Sequence, residues 1–237
     1  MSGSFLVETL STNLATVHSQ IAAACSRSGR SPDAIRLVAV TKYAEWPWVQ
    51  ALASLHSIFG ENRPQQLAER APRLPDVQWH LIGQLQRNKA RLAVQHAAMI
   101  HSIDSLKLLS RLADVASEMQ RFPELLLQVN VSGEESKSGF AVDELVEAWP
   151  RIAALSRTLN IVGLMTMAPA SEDPEAARPT FRHLAELRDR LTRMPPSADY
   201  GLTLPELSMG MSGDYVVALE EGATIVRIGS RLFEGIV

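Results

Sequence analysis

The sequence predicts a single (β/α)8 barrel of the TIM type. Eight short apolar runs alternate with segments of helical character along its 237 residues. No low-complexity tract or long linker divides the alternation. Only Ser230 to Val237 follow the last run, too few for an eighth outer helix, so an N-terminal helix is expected to cover that gap. Strands alternating with helices define a parallel sheet, and eight such units close it into a barrel. An open doubly wound sheet is the rival, but it usually carries a glycine-rich turn after its first strand. Here the first run ends in Thr41-Lys42-Tyr43-Ala44-Glu45, without glycine.

The elements follow in order. An amphipathic helix spans about Phe5 to Ser26. Ile35–Val40 is the first strand and Trp46–Leu55 its helix. Ser57–Gly60 precedes Pro64–Arg70, and Val77–Gly83 precedes Gln86–His96. Met99–Ile103 leads to Ser105–Gln120, where Ser105 is a cap. Glu124–Val131 leads to Val142–Ser156. Ile161–Met167 leads to Pro174–Arg193, which Asp173-Pro174 opens. Glu206–Met209 leads to Ser212–Glu221, and Thr224–Ile228 is the last strand. The reading is of one domain, residues 1–237.

Composition excludes several classes of function. A hydrophobic fraction of 46%, a charged fraction of 21% and a net charge of −3 are ordinary for a soluble globular protein. No Lys/Arg block marks a nucleic-acid or anionic-membrane surface. No cationic stretch and apolar core resembling a leader opens the chain, and no apolar run approaches a membrane span. A single cysteine, Cys25, permits no intrachain disulfide, so a reducing cytoplasm is expected.

In a barrel the chemistry sits where the strands end. Those ends carry Lys42, Asn62, Gly83-Gln84, Asp104, Asn130, Thr166, Ser208 and Gly229-Ser230, with Arg227 inside the last strand. The chain has four lysines (Lys42, Lys89, Lys107 and Lys137), and Lys42 alone ends an apolar run. Burial there would favour the neutral, nucleophilic amine. A strand-end lysine with its head in water is the commoner arrangement. Two glycine-rich loops, Ser208-Met209-Gly210-Met211-Ser212-Gly213-Asp214 and Ile228-Gly229-Ser230, stand where barrels usually cradle phosphate. Arg227 must find a partner, because an unpaired buried charge is costly. A lysine, a phosphate cradle and an arginine together suit pyridoxal 5′-phosphate. Its aldehyde takes the amine as a Schiff base, and an arginine facing its ring nitrogen makes it a weaker electron sink.

These stretches resemble the pyridoxal-phosphate-binding protein family, also called the pyridoxal phosphate homeostasis proteins, related to the N-terminal barrel of alanine racemase. The resemblance lies in Leu37 to Lys42, Phe59 to Asn62, Trp79 to Gly83, Leu85 to Lys89, Gln128 to Gly139, Gly163 to Met167 and Leu207 to Leu232. It implies a Schiff base on Lys42. Ser208, Gly210, Ser212, Gly229 and Ser230 would lie around the phosphate, Arg227 at the pyridine nitrogen and Asn62 near the ring. It further implies a carrier or regulator of the cofactor and of amino-acid balance, without established catalysis, whose partners would be apo pyridoxal-phosphate enzymes. Arg63-Pro64-Gln65-Gln66 departs from the family's frequent Tyr-Val-Gln-Glu, and Ser230 replaces a frequent threonine.

The alternative is a pyridoxal-phosphate-dependent racemase. Racemization needs an acid/base on each face of the substrate, and Lys42 supplies only one. Enzymes like alanine racemase take the other from a second domain and a dimer partner. The end of the chain soon after its last strand therefore favours the holder reading and a monomer. Tyr43, Tyr200 and Tyr215 are not strongly placed as a second acid/base. The histidines lack metal spacing: His96 and His101 straddle a helix–strand junction, and His80 reads as a satisfied barrel histidine. Gly133–Gly139 reads as a polar, solvated loop at the barrel mouth.

Overall fold

A computed structural model describes residues 3–134 and 138–236. Its strands are β1 (Arg36–Val40), β2 (Ile58–Glu61), β3 (Gln78–Leu81), β4 (Met99–Ile103), β5 (Glu124–Asn130), β6 (Phe140–Ala141), β7 (Asn160–Met165), β8 (Glu206–Ser208) and β9 (Ile225–Ile228). The α-helices are α1 (Gly3–Arg27), α2 (Trp46–Ala53), α3 (Pro64–Arg70), α4 (Ala90–His96), α5 (Leu106–Met119), α6 (Val142–Leu155), α7 (Arg178–Arg193), α8 (Pro195–Tyr200) and α9 (Tyr215–Glu220).

Eight of these strands close a parallel barrel in the order β1-β2-β3-β4-β5-β7-β8-β9, with β9 pairing back to β1. They are the eight predicted strands. β6 is an extra two-residue strand beside the end of β5, at Val129 and Asn130. The helical segments differ in detail. The stretch predicted from Gln86 opens with a 3-10 turn (Arg87–Lys89) before α4. The one predicted from Pro174 opens with a 3-10 turn (Pro174–Ala177) before α7. The last begins at Tyr215 rather than Ser212, because Asp214 Oδ1 accepts the Met211 N–H (2.6 Å) and holds the chain in a turn.

Side-chain alternation builds two cores. On β1, Leu37 and Ala39 face outward into the layer between sheet and helices, while Val38 faces inward. Val38 meets Met99, Leu126, Met165 and Ile225 in the barrel interior. A strand buried on both faces needs apolar residues at every position, hence runs such as Leu37-Val38-Ala39-Val40.

Helix α1 covers the gap beside β9. Leu6, Leu10, Leu14, Val17 and Ile21 recur every three or four residues and are all buried. Each such side chain contributes roughly 1.5–3 kcal/mol relative to exposure. Asn13 Nδ2 donates to the Leu232 and Glu234 carbonyls at 3.1 and 2.9 Å, tying the C-terminal segment to α1. Tyr215 donates its hydroxyl to Gln20 of the same helix, and Arg30, in the segment just after it, donates to the Leu219 carbonyl at 3.0 Å, so both hold α9 in place. Among the described residues no helix is long and apolar enough to cross a membrane.

Candidate functional site

Parallel pairing brings every strand's C-terminal end to one rim, so the chemistry-bearing ends converge there. A cavity of about 470 Å³ opens at that rim. Six of the predicted residues line it: Lys42, Asn62, Ser212, Arg227, Gly229 and Ser230. Val40, Trp48, Ile82, Met167, Met211 and Phe233 give it apolar walls. A second, polar cavity of about 400 Å³ shares Lys42, Tyr43 and Asn62 and extends to Arg63, Gln65, Gln66 and Glu69. Lys42 thus stands where two chambers meet.

Lys42 follows β1 in a turn closed by the Ala44 N–H on the Thr41 carbonyl (2.9 Å). It is half-buried rather than sealed in an apolar pocket, and its amine lies 5.0 Å from the centre of the Tyr43 ring. Asn62 follows β2 and comes close to β3. A Cβ at Gly83 would stand 2.1 Å from the Asn62 carbonyl oxygen, so only glycine permits the approach.

Arg227 points into the barrel from β9 and is 4% exposed. Nη1 donates to Ser208 Oγ at 2.6 Å and Nη2 to the Thr166 carbonyl at 3.0 Å. Both partners are neutral oxygens. Burial lowers its pKa to about 10, opposed by the charge of Asp214. A buried cation with neutral partners beside a cavity favours a ligand that offers electron density there.

Ser208 and Gly210, also predicted around a phosphate, are not among the residues that line this cavity. Ser208 ends a strand of three residues and points into the barrel, fully buried. Its hydroxyl also bonds His101 Nδ1 at 2.8 Å, and His101 Nε2 meets His80 Nδ1 at 3.0 Å. Gly210 shapes the turn: its φ is +91°, and its carbonyl accepts the Arg227 N–H at 3.0 Å. Ser212 does reach the cavity, where its Oγ accepts the Gly229 N–H at 3.2 Å. Ser212, Gly229 and Ser230 therefore bring hydroxyl and amide donors together from two loops.

His80 is buried and hydrogen-bonded, as a satisfied barrel histidine would be, but its partner His101 was not predicted. Only the inward alternation of β4, which places Met99 in the interior, could have revealed it. No group of three metal-ligating side chains occurs among the described residues. Of the predicted Gly133–Gly139 loop, Glu135, Ser136 and Lys137 lie outside the described residues. Its flanks are tied down by Asn130 Nδ2 on the Glu134 carbonyl and Gln128 Nε2 on the Ser138 carbonyl, both at 2.8 Å.

The two buried histidines predict acid sensitivity. Burial, the largest cause, lowers His80 from 6.5 to about 3, with a further push from Arg36. It lowers His101 well below 6.5, and the charges of His80, Arg227 and Arg36 act in the same direction. The unfolded chain therefore binds more protons between these values. This contribution is complete above pH 6.5 and is lost as pH falls toward about 3. His80 changes stability by up to ~1.4 kcal/mol per pH unit in that window, and His101 acts in the same direction. Urea unfolding at about pH 7.5 and about pH 5 should show a lower midpoint at the acid value, with the difference reduced by removing both imidazoles.

The architecture and site define a class. The chain matches the family described as alanine racemase, N-terminal domain, over residues 12–235. It is 39% identical over 223 residues to the pyridoxal phosphate homeostasis protein of Aquifex aeolicus, covering 93% of this chain and 95% of that one. It is 37% identical over 231 residues to the protein of that name from Escherichia coli K12, covering 93% and 94%. The chain belongs to the pyridoxal phosphate homeostasis protein family.

Among solved structures, PipY of Synechococcus elongatus PCC7942 with PLP bound superposes with a TM-score of 0.80 at 35% identity, covering 94% of this chain and 99% of that one. PipY without PLP gives 0.82 at 36% identity and the same coverage. Alanine racemase of Clostridium difficile 630 shares the fold, with a TM-score of 0.68 at 12% identity, and this chain spans 56% of its length.

Proposed function

We propose that this protein binds pyridoxal 5′-phosphate in the rim cavity as a Schiff base on Lys42 and serves intracellular cofactor homeostasis and amino-acid balance without substantial catalysis. The observation that carries the reading is the meeting, in one cavity, of Lys42, the neutral-partnered Arg227 and the donors of Ser212, Gly229 and Ser230. When bound, the cofactor supplies an aldehyde and an electron-withdrawing ring. Lys42 presents the amine. Ser212, Gly229 and Ser230 supply hydroxyl and amide donors suited to a phosphate. Arg227 supplies a fixed cation for the ring nitrogen, and Asn62 lies on the rim beside Lys42. The bound form of PipY and the names of the relatives support the same ligand.

A racemase reading finds less support. Tyr43 is the other phenol or amine on the cavity wall among the described residues, and at 87% exposed it is not held against a substrate face. The proposed role is a cytoplasmic monomer that holds the cofactor for apo enzymes.

Titration of the purified protein with pyridoxal 5′-phosphate tests the binding, because Trp48 lines the cavity. Saturable quenching of its fluorescence is expected, with an absorption band in the region of about 400 nm and negligible turnover of D- or L-alanine. Absence of saturation sinks the binding reading, and a robust racemization rate sinks the non-catalytic one.

A further inference from the structure

The turn that carries Lys42 is gripped from behind by a buried ion pair. Glu61 ends β2 and is fully buried, and Arg70 ends α3 at 9% exposed. Arg70 Nη1 meets Glu61 Oε1 at 2.6 Å. The same guanidinium donates to two backbone carbonyls, Thr41 at 2.9 Å through Nη1 and Ala44 at 2.8 Å through Nη2. Glu61 Oε1 also accepts the Thr41 hydroxyl at 2.5 Å. With its amide turned over so that both ends find partners, Gln66 closes the cluster, its nitrogen 3.2 Å from Glu61 Oε2 and its oxygen 3.1 Å from Arg70 Nη2.

Thr41 and Ala44 are the first and last residues of the turn, and Lys42 and Tyr43 are its middle. One planar guanidinium therefore fixes both ends of a four-residue segment whose second residue is the lysine. The Thr41 N–H adds a bond to the Gly60 carbonyl at 3.0 Å, so β2 holds the start of the turn through backbone as well. Stability alone is a weak reason for such a cluster. Apolar residues of similar volume often serve a core as well as a buried ion pair. A fork with five donors in fixed geometry, by contrast, can hold two carbonyls and a carboxylate in one arrangement.

We propose that Arg70 and Glu61, with Thr41 as their handle, are positioning residues for Lys42. They hold its turn rigid from the side away from the cavity, so that the amine is presented at the junction of the two chambers. The proposal rests on the reading of Lys42 as the residue that links to pyridoxal 5′-phosphate. A group displaced from its reacting geometry loses effective concentration, even though its chemistry is intact.

The test compares two ligands. Pyridoxamine 5′-phosphate carries an amine in place of the aldehyde, so it fills the cavity but cannot link to Lys42. Its affinity reports the cavity alone, whereas that of pyridoxal 5′-phosphate reports the cavity and the link. Two variants of the full-length protein are used, Arg70→Lys and Thr41→Val. Lysine keeps the charge but cannot grip both carbonyls, and valine keeps the shape of threonine but loses the hydroxyl. Thr41→Val thus tests the idea even where Arg70→Lys folds poorly. In each variant that folds, affinity for pyridoxal 5′-phosphate should fall about tenfold while that for pyridoxamine 5′-phosphate stays within about twofold. The fraction fixed by borohydride should fall in parallel. Equal losses for both ligands, or no loss for either, overturn the positioning role. A wild-type protein that takes no borohydride-fixed label overturns the reading of Lys42 itself, and this proposal with it.

Discussion

Replacing Lys42 by alanine is expected to abolish covalent attachment of pyridoxal 5′-phosphate while leaving a weaker, reversible complex. Lys42 lines both chambers at the rim, and neither Lys89 nor Lys107 lines either one. The donors of Ser212, Gly229 and Ser230 and the cation of Arg227 are untouched by the substitution, so the cavity still recognises the phosphate and the ring. The binding energy of the link is lost, and affinity should fall by a factor on the order of 100. The band in the region of about 400 nm should vanish, and no label should survive borohydride and denaturation. Mass spectrometry of reduced wild-type protein should place the label on the peptide containing Lys42. A label that persists in Lys42→Ala would move the link to another amine and break the site described here. Stability should barely change, because the side chain is half-buried and carries none of the turn's hydrogen bonds.

The parts of this site differ in how legible they were. The eight barrel strands were readable because a parallel barrel buries both faces of each strand, which forces continuous apolar runs such as Leu125-Leu126-Leu127. Lys42 and Arg227 were readable for the complementary reason: each interrupts or ends such a run, and a charge there needs an explanation. The facing of residues on short strands was not readable. Ser208 lies one position before the rim loop, and a strand of three residues gives too little alternation to show that it points inward to Arg227 and His101. β6 and α8 escaped because they are two and six residues long. The Glu61–Arg70 pair was hidden for another reason. Its meaning lies in the carbonyls of Thr41 and Ala44, and nothing in a side-chain pattern announces which backbone a guanidinium will hold.

On the proposed reading, the fold separates holding from reacting. Arg227 is fixed by neutral partners inside the barrel, and Ser212, Gly229 and Ser230 come from two loops after the last strands. Lys42 arrives from β1, the strand paired with β9, on a turn braced by β2 and α3. Each group is held by a different element, so the loops can be perturbed while the lysine's own turn stays intact.

Gly210→Ala should produce such a loop defect, with a large loss of stability. The residue sits at φ +91°, where a side chain raises the backbone energy by about 1–2 kcal/mol. The added Cβ would also stand 2.6 Å from the Ala218 Cβ and 2.9 Å from the Tyr215 Cα. Neither neighbour is the far end of a flexible side chain. Relief requires α9 to move, yet Val217, Ala218 and Leu219 of that helix are buried and Tyr215 is bonded to α1. Steric relief of this kind typically costs a further 1–3 kcal/mol, so the total is about 2–5 kcal/mol. The melting temperature should fall by roughly 4–20 °C at about 2–4 °C per kcal/mol. The shift also reaches the site, because the Gly210 carbonyl accepts the Arg227 N–H and the same loop carries Ser212. Affinity for pyridoxamine 5′-phosphate should therefore fall along with that for pyridoxal 5′-phosphate, the reverse of the selective loss expected when the turn of Lys42 is loosened. Gly213→Ala is the control for stability. A Cβ there meets nothing within 4 Å, so its melting temperature should stay close to wild type. Equal melting temperatures for the two variants would show that the loop is not held against α9 as described.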